Sequence, residues 1–273
     1  MLRLWRDRVA IALCPDRVVL SRISWRRSLN ATRIVDCEQK ANEKAGYACI
    51  EVLRTALRDP QWADTDAYIT LSSHFVHYAL VPWSSHLVLD DEKRSWVKHH
   101  FDDLYGEATS DLEYRWSDEG PDATCVASAI DGALARGACD AFDGTSLQLR
   151  SVQPYVMSAF NHGRSLITNE TALLAFPEPG RLCIASVYGG AWRSISSRQM
   201  ASDWQADLPH ALQREIMVAD PTPSVVFVYA SNIKEQELSD CIGIPVRKVD
   251  FDLTGGHRPA AKRADGVAAE CAA

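Results

Sequence analysis

Serine and histidine side chains are concentrated between residues 72 and 100, and together they suggest hydrolase chemistry. The residues concerned are Ser72, Ser73, His74, His77, His86, His99 and His100. An α/β-hydrolase exposes its nucleophile on a Gly-x-Ser-x-Gly turn, which this sequence lacks. Alternate residues of a strand also point to opposite faces, so a strand does not bring neighbouring Ser and His together. We therefore interpret these as surface or hydrogen-bonded core residues and predict no catalytic residue.

Cysteine and acidic residues give no stronger sign of chemistry. The eight cysteines contain no Cys-x-x-Cys spacing and no close Cys/His pair, and such spacing is what zinc and thioredoxin-like sites require; they are Cys14, Cys37, Cys49, Cys125, Cys139, Cys183, Cys241 and Cys271. The pairs Asp90-Asp91 and Asp102-Asp103 are better explained by helix capping and solvated faces than by acid–base catalysis. We predict no metal site and no disulfide.

The apolar pattern predicts a mixed α/β chain in which one plan occurs twice. Strands 9–13 and 17–24 flank a Cys14-Pro15-Asp16 turn, and strand 32–37, helix 47–57 and strand 68–71 follow. The plan recurs near residue 182, with strands 182–187 and 192–196 around Gly189-Gly190. The remaining predicted elements are strands 75–81, 112–116, 124–130, 147–152, 166–168, 172–176, 224–229 and 246–251, and helices 90–105, 131–142, 154–160, 208–216 and 233–241.

Composition describes a globular chain of about two domains, with 273 residues and 47% hydrophobic content. The net charge of −7 argues against a general nucleic-acid-binding protein. Residues 1–33 nevertheless carry eight Arg against two Asp, a balance of +6, and the remainder carries −13. We favour solvated, Arg-rich strands for this basic end. Contact with anionic lipid or with an acidic partner stays open.

Targeting signals are not evident in the sequence. Arg3, Arg6 and Arg8 lie where the apolar region of a secretory signal would begin. The uncharged stretch 67–89 contains three His and Pro82, so we expect two strands and a turn rather than a membrane span. The expected location is the cytoplasm.

One stretch resembles two related families. Residues 70–83 read TLSSHFVHYALVPW. They are similar to a region of the type IV pilus assembly protein PilM and of the cytoplasmic domain of the type II secretion protein GspL. In that region a strand is followed by His-Phe-Val-Arg-Tyr, a second strand and Pro-Trp. The downstream order of elements is also similar, with a junction GTSLQLRSVQPY at 144–155. The resemblance covers about residues 7–253. With no span after residue 253, the chain looks more like PilM than full-length GspL.

The resemblance implies an α/β, actin-like (ribonuclease H-like) fold of two lobes. Lobe I would be 1–162 with an inserted α+β subdomain at about 86–152, lobe II would be 163–253, and 254–273 would be a flexible tail. Actin-like proteins hold nucleotide on two hairpins with glycines and carboxylates and on a Gly-rich adenosine loop. The matching positions here are Cys14 in the first hairpin and Ser186, Gly189 and Gly190 in the second.

Three expected nucleotide loops depart from the family pattern together. The first hairpin lacks glycine, the second has Ser186 where a carboxylate is expected, and the adenosine-type loop reads Tyr229-Ala-Ser-Asn232. We therefore predict a non-catalytic relative of these ATPases with no cofactor. Binding of Mg-ATP, as in an actin-like ATPase or small-molecule kinase, is the alternative.

The resemblance implies a scaffold at the inner face of a bacterial inner membrane. Its partner would be a single-span pilus or secretion protein, either PilN-like or GspM/GspE-like, and self-association is left open. By position, the partner groove would be bordered by Phe75, His77, Tyr78, Trp83 and Trp96. For Trp83 and Trp96 we favour a place in the core, and lining such a groove is the other interpretation.

Overall fold

The computed structural model describes residues 6–26, 28–38, 46–84, 86–87, 89–106, 111–117, 124–167 and 171–251. The expected tail at 254–273 lies outside this range. The strands are β1 (Arg8–Leu13), β2 (Arg17–Ile23), β3 (Leu29–Asp36), β4 (Asp66–Leu71), β5 (Val76–Pro82), β6 (Leu112–Trp116), β7 (Thr124–Asp131), β8 (Gln148–Pro154), β9 (Ala172–Glu178), β10 (Arg181–Tyr188), β11 (Ala191–Gln199), β12 (Val225–Tyr229) and β13 (Val246–Val249). The helices are α1 (Tyr47–Ala56), α2 (Asp90–Tyr105), α3 (Gly132–Asp140), α4 (Tyr155–Gly163), α5 (Trp204–Val218) and α6 (Glu235–Ile242).

The first five-stranded sheet has the order β3-β2-β1-β4-β8. Strands β1, β2 and β3 form an antiparallel meander, whereas β4 and β8 run parallel to β1. The central strands are almost continuously apolar and buried, which is the pattern of strands covered on both faces. This sheet confirms the predicted hairpin at residues 9–24.

The second five-stranded sheet repeats the same plan with the order β11-β10-β9-β12-β13. Strands β9, β10 and β11 form the antiparallel meander, and β12 and β13 run parallel to β9. The counterpart of β1 is therefore β9, so the repeat begins at residue 172 and not near 182. A further predicted strand at 166–168 is wrong over its described part, because residues 164–166 form a 3₁₀ turn.

A third sheet, of three strands, is inserted after β4 and has the order β5-β7-β6. Helix α2 packs on it, and the small core between them includes Val81, Val97, Phe101 and Ala127. The inserted sheet begins and ends earlier in the chain than the predicted range 86–152. It begins with β5, whereas β8 pairs with β4 and so belongs to the first five-stranded sheet.

The described chain divides into two compact units. Unit 1 contains the described parts of 1–75 together with Asp131–His162, and unit 2 contains Val76–Ile130 and Gly163–Phe251. The core of the second five-stranded sheet is apolar and buried and is covered by α5 and α6. Unit 2 thus holds both the inserted sheet and the repeated sheet, and the candidate site described next lies wholly within it.

Candidate functional site on the inserted sheet

Helix α2 begins at an acidic turn that its own sequence stabilises. Asp90, Asp91 and Glu92 lie in the first turn, where the helix dipole favours negative charge. The Glu92 carboxylate also accepts a hydrogen bond from the backbone N–H of Leu89, at 3.2 Å. Val97 and Phe101, four residues apart, turn one face of the helix into the sheet. The acidic end of the helix and its other face are left to solvent.

Aromatic side chains lie near this acidic turn in two groups, one around Trp96 and one formed by Trp83 and Trp116. The Trp96 indole donates a hydrogen bond from Nε1 to the backbone oxygen of Pro82, at 2.9 Å, and its ring meets that of His100 edge-on at 4.7 Å. Next to Pro82, the Trp83 ring lies 6.0 Å from Trp116. We call Trp83, Trp96, His99, His100 and Trp116 the Trp96 surface.

The Trp96 surface borders an open hollow of about 490 Å³ at the start of α2. The hollow is lined by Leu87, Asp91, Glu92, Ser95, Trp96 and His99. Trp83 and Trp96 are half-buried: they pack against the core of the inserted sheet and keep part of each ring accessible. Two carboxylates beside an accessible indole form a site suited to a basic side chain, through charge and cation–π attraction.

His77 lies on β5, and its ring contacts Tyr105 at the end of α2, with centroids 4.6 Å apart. Partial burial lowers the pKa of His77, and the positive charge of Arg181 lowers it further. The Tyr105 hydroxyl in turn donates to the backbone oxygen of Tyr78, at 2.8 Å. His77 thus keeps an exposed edge but is positioned by its contact with Tyr105.

Two of the five predicted groove residues belong to the interior. Phe75 is 7% exposed and Tyr78 is 3% exposed. The Phe75 ring packs near the start of α1, where a Cβ added to Gly46 would lie 3.1 Å from it. Strand alternation gives Tyr78 the face opposite His77. The structure therefore leaves His77, Trp83 and Trp96 as accessible candidates, and it adds Trp116 and His100.

The turn predicted as the second nucleotide hairpin is not the structural counterpart of the first one. Gly189 and Gly190, both with positive φ, form the β10–β11 turn, and Ser186 Oγ lies 2.7 Å from Ser194 Oγ across that hairpin. Since β9 is the counterpart of β1, the turn equivalent to Cys14-Pro15-Asp16 is the β9–β10 turn at Pro179 and Gly180. The sequence pattern alone did not reveal this correspondence.

The two equivalent turns share a proline and an adjacent carboxylate. Cys14 follows β1, and its N–H donates to the Arg17 carbonyl at 3.0 Å, which closes a tight turn around Pro15 and the exposed Asp16. In the second sheet Pro179 follows Glu178, which is almost fully buried. Each proline removes one backbone N–H from its turn.

Cys14 belongs to a group of buried thiols in unit 1. The Cys49 thiol donates to the Cys14 carbonyl oxygen at 2.9 Å. Burial raises the pKa of Cys49, and a hydrogen bond with Cys37 raises it further. These are the features of unreactive core thiols. Among the described residues, no three His, Cys, Asp or Glu side chains are grouped so as to hold a metal ion.

Comparison with known proteins shows similarity in structure and not in sequence. No protein-family model matches the chain, and no curated protein matches it. A chain of the PilM–PilN type IV pilus biogenesis complex is similar in structure with a TM-score of 0.65 at 11% identity, over 88% of this chain and 87% of that one.

Two further solved structures are similar. A Bacteroides thetaiotaomicron protein of unknown function with an actin-like ATPase fold gives a TM-score of 0.60 at 10% identity, over 92% of this chain and 94% of that one. The cytoplasmic domain of EpsL, an inner-membrane component of the type II secretion system of Vibrio cholerae, gives a TM-score of 0.51 at 9% identity, over 89% of this chain and 86% of that one.

The described part of this chain contains no helix with the length and apolar character needed to cross a membrane. Its twice-used five-stranded sheet and its structural neighbours agree with the fold that the stretch 70–83 implied. The chain has an actin-like fold, similar to those of a PilM–PilN complex chain and of the EpsL cytoplasmic domain.

Proposed function

We propose that this chain is a non-catalytic docking protein of a type IV pilus or type II secretion-like assembly. It would act in the cytoplasm at the inner face of a bacterial inner membrane, and bind the cytoplasmic segment of a single-span partner. The fold shared with a PilM–PilN complex chain and with the EpsL domain supports this setting. The observation that carries the proposal is the Trp96 surface with its acidic hollow.

Charge indicates which segment this surface would accept. Asp91 and Glu92 line the hollow, whereas Asp90 in the same helical turn is paired with Lys93 at 4.0 Å. Cytoplasmic segments next to a membrane span carry an excess of Lys and Arg. A basic side chain of such a segment would meet the carboxylates and the Trp96 ring, while its apolar neighbours would contact Trp83 and Trp116.

The test is a calorimetric titration of the full chain with a synthetic peptide. The peptide is the basic cytoplasmic segment of a PilN-like single-span membrane protein. Loss of an interface Trp typically costs about 2 kcal/mol of binding free energy, so Trp96→Ala should weaken binding by about thirtyfold or more. Trp83→Ala should weaken it too.

Met217→Ala is the matched control, because Met217 is an exposed hydrophobic residue on α5 of the same unit. It should bind like the wild type. Absence of binding by the wild type, or equal affinity for wild type and both Trp variants, would refute docking at the Trp96 surface.

The non-catalytic part of the proposal rests on the two equivalent turns. Phosphate loops approach their ligand with consecutive backbone N–H groups. Pro15 and Pro179 each remove one such donor. We infer that these turns do not fit a nucleotide phosphate, and we derive no catalytic step through one.

Glu178 favours the alternative, an actin-like ATPase or kinase, because it places a carboxylate beside the second turn. The two functions differ in thermal stability with Mg-ATP. A ligand at 100 times its dissociation constant adds about 2.7 kcal/mol, which is about 5 to 10 °C in Tm for a chain of this size. We expect no shift at millimolar Mg-ATP, and a shift of that size would favour the ATPase.

A further inference from the structure

The tip of the β2–β3 hairpin is a small loop held by several polar contacts. The Ser24 N–H donates to the Ser28 carbonyl at 2.9 Å, and the two serine hydroxyls lie 2.7 Å apart. The Asp7 carboxylate accepts from Arg22 Nε at 3.0 Å and from the Trp25 backbone N–H at 3.3 Å. These contacts hold Ser24, Trp25 and Ser28 from both strands and from the segment before β1.

This fixed tip presents an apolar and basic group to solvent. Trp25 is 46% exposed and Leu29, at the start of β3, is 62% exposed. The guanidinium carbon of Arg26 lies 4.8 Å from the centroid of the Trp25 ring. Arg22 is paired with Asp7 at 3.0 Å and Arg33 with Asp59 at 2.9 Å, so Arg26 is the basic residue that lies beside Trp25.

We propose that this hairpin tip inserts into the headgroup region of an anionic bilayer. Trp prefers the membrane–water interface, where the ring is among apolar carbons and the indole N–H is near water. Arg26 would contact anionic headgroups, whose attraction adds about fivefold in affinity per Arg.

The size of the patch favours a bilayer over a protein partner. A specific protein interface buries about 800 Å² on each side, which the exposed parts of Trp25 and Leu29 do not approach. A shallow lipid contact needs only a few interfacial side chains and basic neighbours. The expected binding is weak, reversible and sensitive to salt.

The experiment is flotation of the full chain with large unilamellar vesicles. One set contains phosphatidylcholine with 30% phosphatidylglycerol, and the other contains phosphatidylcholine alone. The wild type should float with the anionic vesicles at low salt and be released by 0.5 M NaCl. Trp25→Ser should lose most of the bound fraction, and Arg26→Glu should weaken partition on the order of twentyfold, since it changes the charge by two.

Tyr188→Ser is the matched control. Tyr188 flanks the β10–β11 turn, is 45% exposed, and has Arg193 5.5 Å from its ring centroid, so it reproduces the aromatic–arginine pair elsewhere. It should float like the wild type, and circular dichroism should show that each variant is folded. The proposal is overturned if the wild type does not float with anionic vesicles, or if Tyr188→Ser loses as much binding as Trp25→Ser. Either result leaves the peptide titration at Trp96 unaffected.

Discussion

Replacing Asp131 with Ala should destabilise unit 1 through the loss of a single carboxylate oxygen. Asp131 is the N-cap of α3, and its Oδ1 accepts from the backbone N–H groups of Ala133 at 2.8 Å and Leu134 at 3.1 Å. The same oxygen accepts from the Tyr47 hydroxyl at the start of α1, at 3.4 Å. One atom therefore connects the first turns of two helices.

The expected magnitude follows from these three contacts. Loss of an Asp N-cap costs about 1 kcal/mol, and the long Tyr47 hydrogen bond adds about 0.5 kcal/mol. Asp131→Ala should thus lower the free energy of unfolding by about 1.5 kcal/mol, or about 3 to 6 °C in Tm. Asp131→Asn keeps a capping oxygen and should lie within about 0.5 kcal/mol of wild type, and Tyr47→Phe should cost about 0.5 kcal/mol.

The assay is thermal unfolding followed by circular dichroism at pH 7 for the three variants. A double-mutant cycle of Asp131→Ala with Tyr47→Phe isolates the shared contact, because the second substitution should cost nothing once the carboxylate is gone. If Asp131→Ala melts with the wild type, or if Asp131→Asn is as unstable as Asp131→Ala, the capping argument is wrong.

Three further perturbations test other features. Gly163→Ala should lower Tm by several degrees, since its Cβ would lie 2.7 Å from the hydroxyl of the buried Tyr229, and overpacking costs about 1 to 3 kcal/mol; thermal melts will measure it. Burial lowers the pKa of His77 in the folded protein. The protein should therefore lose stability as pH falls through the unfolded pKa of about 6.5, because the unfolded state binds the proton first. His77→Gln should remove part of this pH dependence in thermal melts from pH 7.5 to 5. In native protein at pH 8, Ellman's reagent should modify the exposed Cys241 and leave Cys49 unmodified, as peptide mass spectrometry will show; labelling of Cys49 at the same rate would contradict its burial.

Local patterns were sufficient to predict most elements but not how the strands pair. Helix α2 and strand β6 begin and end at the predicted residues because their apolar spacing is regular and their ends carry capping or turn residues. The pairing of β9 with β12, which makes β9 the counterpart of β1, joins segments distant in sequence, and strand periodicity carries no information on that choice. Periodicity alone therefore predicts the second hairpin one strand too late.

The residues of the candidate site could be predicted from the sequence only in part, because local patterns do not show how the strands pack. Trp83 and Trp96 were identified because aromatic residues there match the resembling stretch or lie on the following helix. Whether a strand residue faces α2 or the interior depends on tertiary packing, so Phe75 and Tyr78 were not recognised as buried. Trp116 was predicted only as the end of a strand, and its contact with Trp83 arises from the third sheet.

The alternation of the two units along the chain has a consequence for synthesis on the ribosome. The nascent chain enters unit 2 at Val76, returns to unit 1 at Asp131 and leaves it again at Gly163. Strand β8 completes the first five-stranded sheet, so the N-terminal meander and β4 leave the ribosome about eighty residues of synthesis before their last neighbour emerges. Translation stopped before β8 would release a polypeptide with neither five-stranded sheet complete, which is a substrate for chaperones and proteases.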